Sequence, residues 1–104
     1  MNTQESYLKA ILATLARQAF PPDRLAEIVA PTAGSEKQIA AYNLCDGEHS
    51  QAQISATLKL DRGNLSRSIS RWEELGIIFR LHGDGESKPV HLYPLSPNQL
   101  GKKR

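Results

Sequence analysis

Apolar residues recur at helical spacing through most of the chain, and the breaks between the runs fall on turn-forming residues. Leu8, Ile11, Leu12, Leu15 and Ala19 form one stripe and predict an amphipathic helix over Glu5–Ala19. Thr3 or Ser6 can cap its start, and Pro21-Pro22 stops it. Pro22 suits the first turn of a second helix, Pro22–Val29, with Leu25, Ile28 and Val29 inward. Pro31-Thr32-Ala33-Gly34 reads as a linker. Ser35 and Gln38 then form a capping-box pattern, with Ile39, Ala40, Asn43 and Leu44 on one face and a turn at Asp46-Gly47. A second such pattern, Ser50 with Gln53, opens a short helix that runs through Leu58 and buries Ile54 and Leu58. After a tight turn at Leu60-Asp61, Asp61 caps a longer helix that ends at Leu75. Gly76 closes it as a left-handed stop.

Beyond Gly76 the residue types change. Ile77-Ile78-Phe79-Arg80-Leu81 is branched and aromatic, His82 to Lys88 is rich in turn formers, and Val90-His91-Leu92-Tyr93 alternates. These predict two strands of a hairpin. The fold class expected is mainly α with a small β-hairpin. Helix, short helix, tight turn, longer helix and hairpin in that order predict a winged helix-turn-helix with an N-terminal helical extension. Residues 1–34 form the extension, assigned to dimerisation, 35–95 the winged domain and 96–104 a basic tail ending in Lys102-Lys103-Arg104.

At 104 residues, 39% hydrophobic and 23% charged, the chain has the balance of one small folded domain rather than a disordered segment. Its apolar runs are far shorter than the roughly 20 residues a membrane span requires. Its first residues lack the charged-then-apolar order of a secretion signal, and a single cysteine, Cys45, cannot form an internal disulfide. A cytoplasmic protein is expected. The net charge of +2 is unevenly spread. Residues 1–50 carry four Lys/Arg against six Asp/Glu, whereas residues 51–104 carry nine against five. An anionic partner for the second half is the reading this favours.

The longest C-terminal helix narrows that reading. Leu65, Ile69 and Trp72 share one side and must face the core, so Gly63, Arg67, Ser70 and Glu74 lie opposite. Asn64, Ser66 and Arg71 flank that outer face, and Arg62 stands at its start. Small residues let a backbone approach, Arg matches two acceptors on guanine, and Asn pairs similarly with adenine. Serine hydroxyls and N–H groups at helix starts suit phosphates. Double-stranded DNA is the partner expected, with Gly63, Asn64, Arg67 and Ser70 toward base edges. Arg62, Ser66, Arg71, Ser50 and Gln51 would hold flanking phosphates.

The stretch from Ile54 to Ile78, with Asn64-Leu65-Ser66-Arg67 in its long helix and Trp72-Glu73-Glu74-Leu75-Gly76-Ile77-Ile78 at its end, resembles the MarR/ArsR-type winged-helix transcription regulators. The resemblance spans about Ser35 to Leu95. It implies a recognition helix at about 61–75 in the major groove and a wing beside it. Two departures qualify it. The segment Gly47 to Ile54 has no cysteine, unlike the metal-sensing branch, and the wing tip holds Asp84 and Glu86 where an arginine is common. Arg80 and Lys88 remain as wing candidates for backbone contacts.

Plainer readings stand beside these. Arg62, Arg67 and Arg71 would be a solvated face if Glu73 and Glu74 neutralised them. Trp72 belongs to the core. Cys45, Asp46 and His49 make a weak zinc pattern and read better as a buried thiol beside a polar turn. With no nucleophile motif, paired carboxylates or phosphate-cradling loop, neither an enzyme nor a cofactor is expected. Leu8, Ile11, Leu12 and Leu15 would pack on a second copy and space two recognition helices one DNA turn apart, about 34 Å. The function expected is a homodimeric, sequence-specific DNA-binding transcription regulator acting by occupancy as a repressor, with any small-molecule effector unidentified. A winged-helix adaptor that docks proteins is the alternative. RNA binding is less favoured, because the outer helix face offers no aromatic residue for stacking.

Overall fold

Proline at position 22, paired polar caps and a left-handed stop divide the chain into the elements of a computed structural model, which describes residues 3–31, 36–81 and 88–96. They are α1 (Thr3–Ala19), α2 (Pro22–Val29), α3 (Glu36–Asn43), α4 (Gln51–Leu58), α5 (Arg62–Glu74), β1 (Ile78–Leu81) and β2 (Lys88–His91). Among the described residues, five helices and one antiparallel strand pair make a mainly α fold with a small two-stranded sheet, as the pattern predicts. No helix among the described residues is long and apolar enough to cross a membrane. Ser35, the 32–34 linker, the expected wing tip with His82, Asp84 and Glu86, and the Lys102-Lys103-Arg104 tail lie outside the described residues.

Several boundaries differ from the sequence reading. The helix expected from Glu5 begins at Thr3. The returning strand starts at Lys88 rather than Val90, and it contains Pro89. A proline lacks the N–H that a ladder uses, but here the missing group points away from β1. Pro89 and His91 turn their backbone toward residues 45–47. Gly47 N–H donates to Pro89 O at 3.0 Å, and His91 N–H donates to Cys45 O at 2.7 Å. The alternate residues face β1, with Val90 opposite Phe79. β2 therefore lies between β1 and the 45–47 segment, joined to the latter by a bridge from Asp46 to Val90.

All of the helices feed one core. Leu25, Ala26 and Val29 of α2 share it with Ile39 and Tyr42 of α3, Ile54 of α4 and Leu65, Ile69 and Trp72 of α5. The inner face of α3 is rotated from the expected one: Ala41 and Tyr42 are fully buried, whereas Ala40, Asn43 and Leu44 are half-buried. Tyr42 wins the inner position because its ring meets the edge of Trp72 at 5.8 Å and 89°. Asn43 instead clamps the chain beyond β2. Its Nδ2 donates to Leu95 O, and its Oδ1 accepts from Leu95 N–H, both at 2.8 Å.

The end of α1 is pinned to the same segment. Tyr93 donates its hydroxyl proton to Phe20 O, and the Arg17 guanidinium lies 4.4 Å from the centre of the Tyr93 ring. Between α1 and the hairpin runs a groove of about 560 Å³ lined by Leu8, Leu12 and Ala13 together with Phe79, Val90 and Leu92.

Candidate nucleic-acid interface

Two caps and one unusual backbone angle set the geometry of α4 and α5. At the start of α4, Ser50 Oγ accepts from Gln53 N–H at 3.2 Å and Gln53 Oε1 accepts from Ser50 N–H at 2.8 Å. This is the capping box that the sequence predicts. Lys59 ends α4 in the left-handed region, at φ 57° and ψ 48°. The reversal is tied by Ser55 Oγ, which donates to Leu60 O at 2.7 Å. Asp61 then caps α5, its Oδ2 accepting from Asn64 N–H at 2.8 Å. Gly76 follows α5 at φ 83°, a conformation that favours a residue without Cβ.

Leu65, Ile69 and Trp72 anchor α5 in the core. That orientation leaves Arg62, Gly63, Asn64, Ser66, Arg67, Ser70 and Arg71 exposed on the outer side. The structure brings these seven predicted residues together on one helix surface. The ion pairs nearest this region join His49 to Asp46 and Arg80 to Glu73, and neither involves Arg62, Arg67 or Arg71. Glu73, one of the expected neutralising partners, is instead held by Arg80, whose Nε lies 3.1 Å from its Oε1. The exposed arginines keep their charge available to an outside anion. One internal contact does reach them: Arg67 Nη2 donates to Asn64 Oδ1.

Two predicted contact residues are corrected. Ser50 is buried, at 2% exposure, and it is this burial that keeps its hydroxyl from a phosphate. Arg80 is half-buried and its Nε is committed to Glu73, so it stands on β1 as a paired rather than a free cation. Gln51 and Lys88 are half-buried, at the first position of α4 and the first of β2, and keep partial access. Lys59 is an exposed cation at the turn before α5, absent from the predicted contact set. Its place in the turn is the signal that would have included it.

The remaining chemistry is structural in its geometry. Cys45 is fully buried, its thiol donates to Ala41 O at 3.3 Å, and burial pushes that thiol up to about 12. Asp46 Oδ1 accepts from Glu48 N–H at 2.9 Å and lies 2.9 Å from His49 Nδ1. Burial alone would raise the Asp46 carboxyl, but the hydrogen bonds from His49 and Glu48 outweigh it and hold the group below the usual carboxylate range. No group of three metal-ligating side chains occurs among the described residues. No known family, curated protein or solved structure matches the chain.

Proposed function

We propose that the chain is a winged helix-turn-helix protein that binds double-stranded DNA in a sequence-specific way. It would regulate transcription by occupancy, most simply as a repressor. One observation carries the reading: a capped helix is anchored by Leu65, Ile69 and Trp72 and turns an exposed face of Arg62, Asn64, Arg67, Ser70 and Arg71 outward. The major groove accepts an α-helix of this kind. The order α3, α4, turn, α5, hairpin supports the fold assignment, as does β2 lying between β1 and the 45–47 segment. The fit to the MarR/ArsR-type regulators rests on the residues of the sequence.

Arg67 would take a guanine and Arg62, Ser66 and Arg71 the flanking phosphates. Sequences selected from a random duplex pool give the test. Arg67→Ala should weaken binding to the selected site by about 1–3 kcal/mol, roughly 5- to 150-fold. Affinity should fall steeply with added salt, because each phosphate contact releases counterions. Unchanged affinity in Arg67→Ala would remove that residue from the reading set. A second reading, a protein-docking adaptor, is favoured by the exposed apolar side chains of α1, Tyr7, Leu8, Ile11 and Leu15. An adaptor would leave random duplex unbound at low salt even at micromolar protein.

A further inference from the structure

Residue types alone assign Asn64 and Arg67 as two independent readers, one for adenine and one for guanine. The structure joins them. Arg67 Nη2 donates to Asn64 Oδ1 across one turn of α5. Arginine has no acceptor, so the Asn64 amide must turn its oxygen toward Arg67 and its NH₂ away. Adenine recognition by asparagine requires both an acceptor for N6–H and a donor for N7. One lone pair of that oxygen is spent on Arg67, so the amide is oriented by the arginine rather than free to turn both its groups to an adenine. The remaining N–H groups of Arg67 are donors.

A second observation shows where the guanidinium rests. A Cβ placed on Gly63 would lie 3.7 Å from Arg67 Nη1 and 3.2 Å from Asp61 Oδ2. The Arg67 side chain is therefore folded back along the start of α5, beside Gly63, with Asn64 holding it. The backbone of Asn64 is held at the start of α5, its N–H bound by the Asp61 cap. Gly63, Asn64 and Arg67 thus form one unit.

We infer that Asn64 is a positioning residue for Arg67 and that the pair together specifies guanine, whose N7 and O6 present two acceptors, at one position of the bound DNA. This rests on the DNA-binding reading and deepens it. The outward N–H groups of the positioned guanidinium match the two acceptors of guanine, whereas adenine and cytosine set an N–H₂ donor against them.

The test is selection from a random duplex pool by the wild-type chain and by Asn64→Ala, Asn64→Asp and Arg67→Ala, each checked for folding by circular dichroism. The wild type should enrich a guanine at the position that loses its preference in Arg67→Ala. Asn64→Ala should lose preference at that same position, by a large part of the roughly 5- to 150-fold discrimination a bidentate pair supplies. Asn64→Asp keeps an acceptor for Arg67. It should retain the guanine there, although its added negative charge weakens binding to every sequence. Loss of an adenine at a different position in Asn64→Ala, with the guanine intact, would overturn the inference and leave DNA binding standing. An Asn64→Ala profile identical to wild type would do the same. A wild-type chain that enriches no sequence would overturn the DNA-binding reading itself, and this inference with it.

Discussion

Lys59 occupies backbone space that costs a side-chain-bearing L-residue about 1–2 kcal/mol, a cost that glycine escapes. Lys59→Gly relieves that cost, and the greater freedom of glycine in the unfolded chain offsets part of the gain. The variant should be more stable by up to about 1 kcal/mol, seen as a higher urea midpoint at unchanged slope. His91 makes the opposite kind of demand on the fold. It is packed against Tyr42 with ring centroids 5.3 Å apart, and its Nδ1 is buried with no hydrogen-bond partner. Burial pushes the imidazole below its ordinary value, against a smaller upward pull from its own backbone and the Asp46 carboxylate. The unfolded chain protonates this histidine near pH 6.5, whereas the folded chain resists until lower pH. The contribution of this neutral histidine to stability is therefore present above about pH 6.5 and is lost as pH falls from there through the folded value. One proton limits the slope to about 1.4 kcal/mol per pH unit. Urea midpoints at pH 7.5 and 5.5 should fall further for the wild type than for His91→Phe.

Elements whose ends are set by neighbours in the chain were legible from the residues. The Ser50–Gln53 box, the Asp61 cap, the Pro22 start and the Gly76 stop each involve groups within a few positions of one another. The face of α5 was legible for the same reason, because three large apolar residues at helical spacing fix its rotation. Contacts between distant segments were not. Pro89 inside β2, the 45–47 pairing, the commitment of Arg80 to Glu73 and the rotation of α3 all depend on which elements become neighbours. The Asn43 clamp on Leu95 spans 52 positions, and a lone asparagine near a helix end carries no sign of it. Asn43→Ala removes both of its bonds and leaves the Leu95 N–H and C=O without those partners. Allowing roughly 1–3 kcal/mol for each such group left unmet in a part-buried place, the variant should lose about 1–3 kcal/mol in total where water reaches one of them. Thermal and urea unfolding measure it. Amide exchange at Leu95 should rise more than that at Ile69, since the release is local before it is global.

At the scale of the whole molecule, the question is what covers α1. Tyr7, Leu8, Ile11 and Leu15 are each more than half exposed, although the same helix sends Ala16 into the core. Leu12, grouped with the stripe on sequence, is half-buried and lines the groove toward the hairpin. Leu8 edges the same groove but stays 62% exposed, so Leu12 is the stripe residue turned furthest toward its own chain. The outer stripe is then Leu8, Ile11 and Leu15, spaced three and four residues apart as in a helix–helix seam. Each Leu or Ile moved from water into such a seam contributes about 1.5–3 kcal/mol, and a two-fold pair would count every one of them twice. A second copy of the chain, the partner expected from the sequence, is the occupant this stripe is proposed to take. The wild type should sediment at twice its 11.5 kDa mass, and Ile11→Lys with Leu15→Lys at 11.5 kDa with an unchanged helical spectrum. Because those positions face water within one chain, the double substitution leaves the core intact and separates assembly from folding. DNA binding should then fall from two half-sites to one, with a smaller salt dependence because fewer phosphates are contacted. A wild-type chain that stays at 11.5 kDa at 100 µM protein would rule out the stripe as a dimer seam, while α5 would keep its outward cationic face.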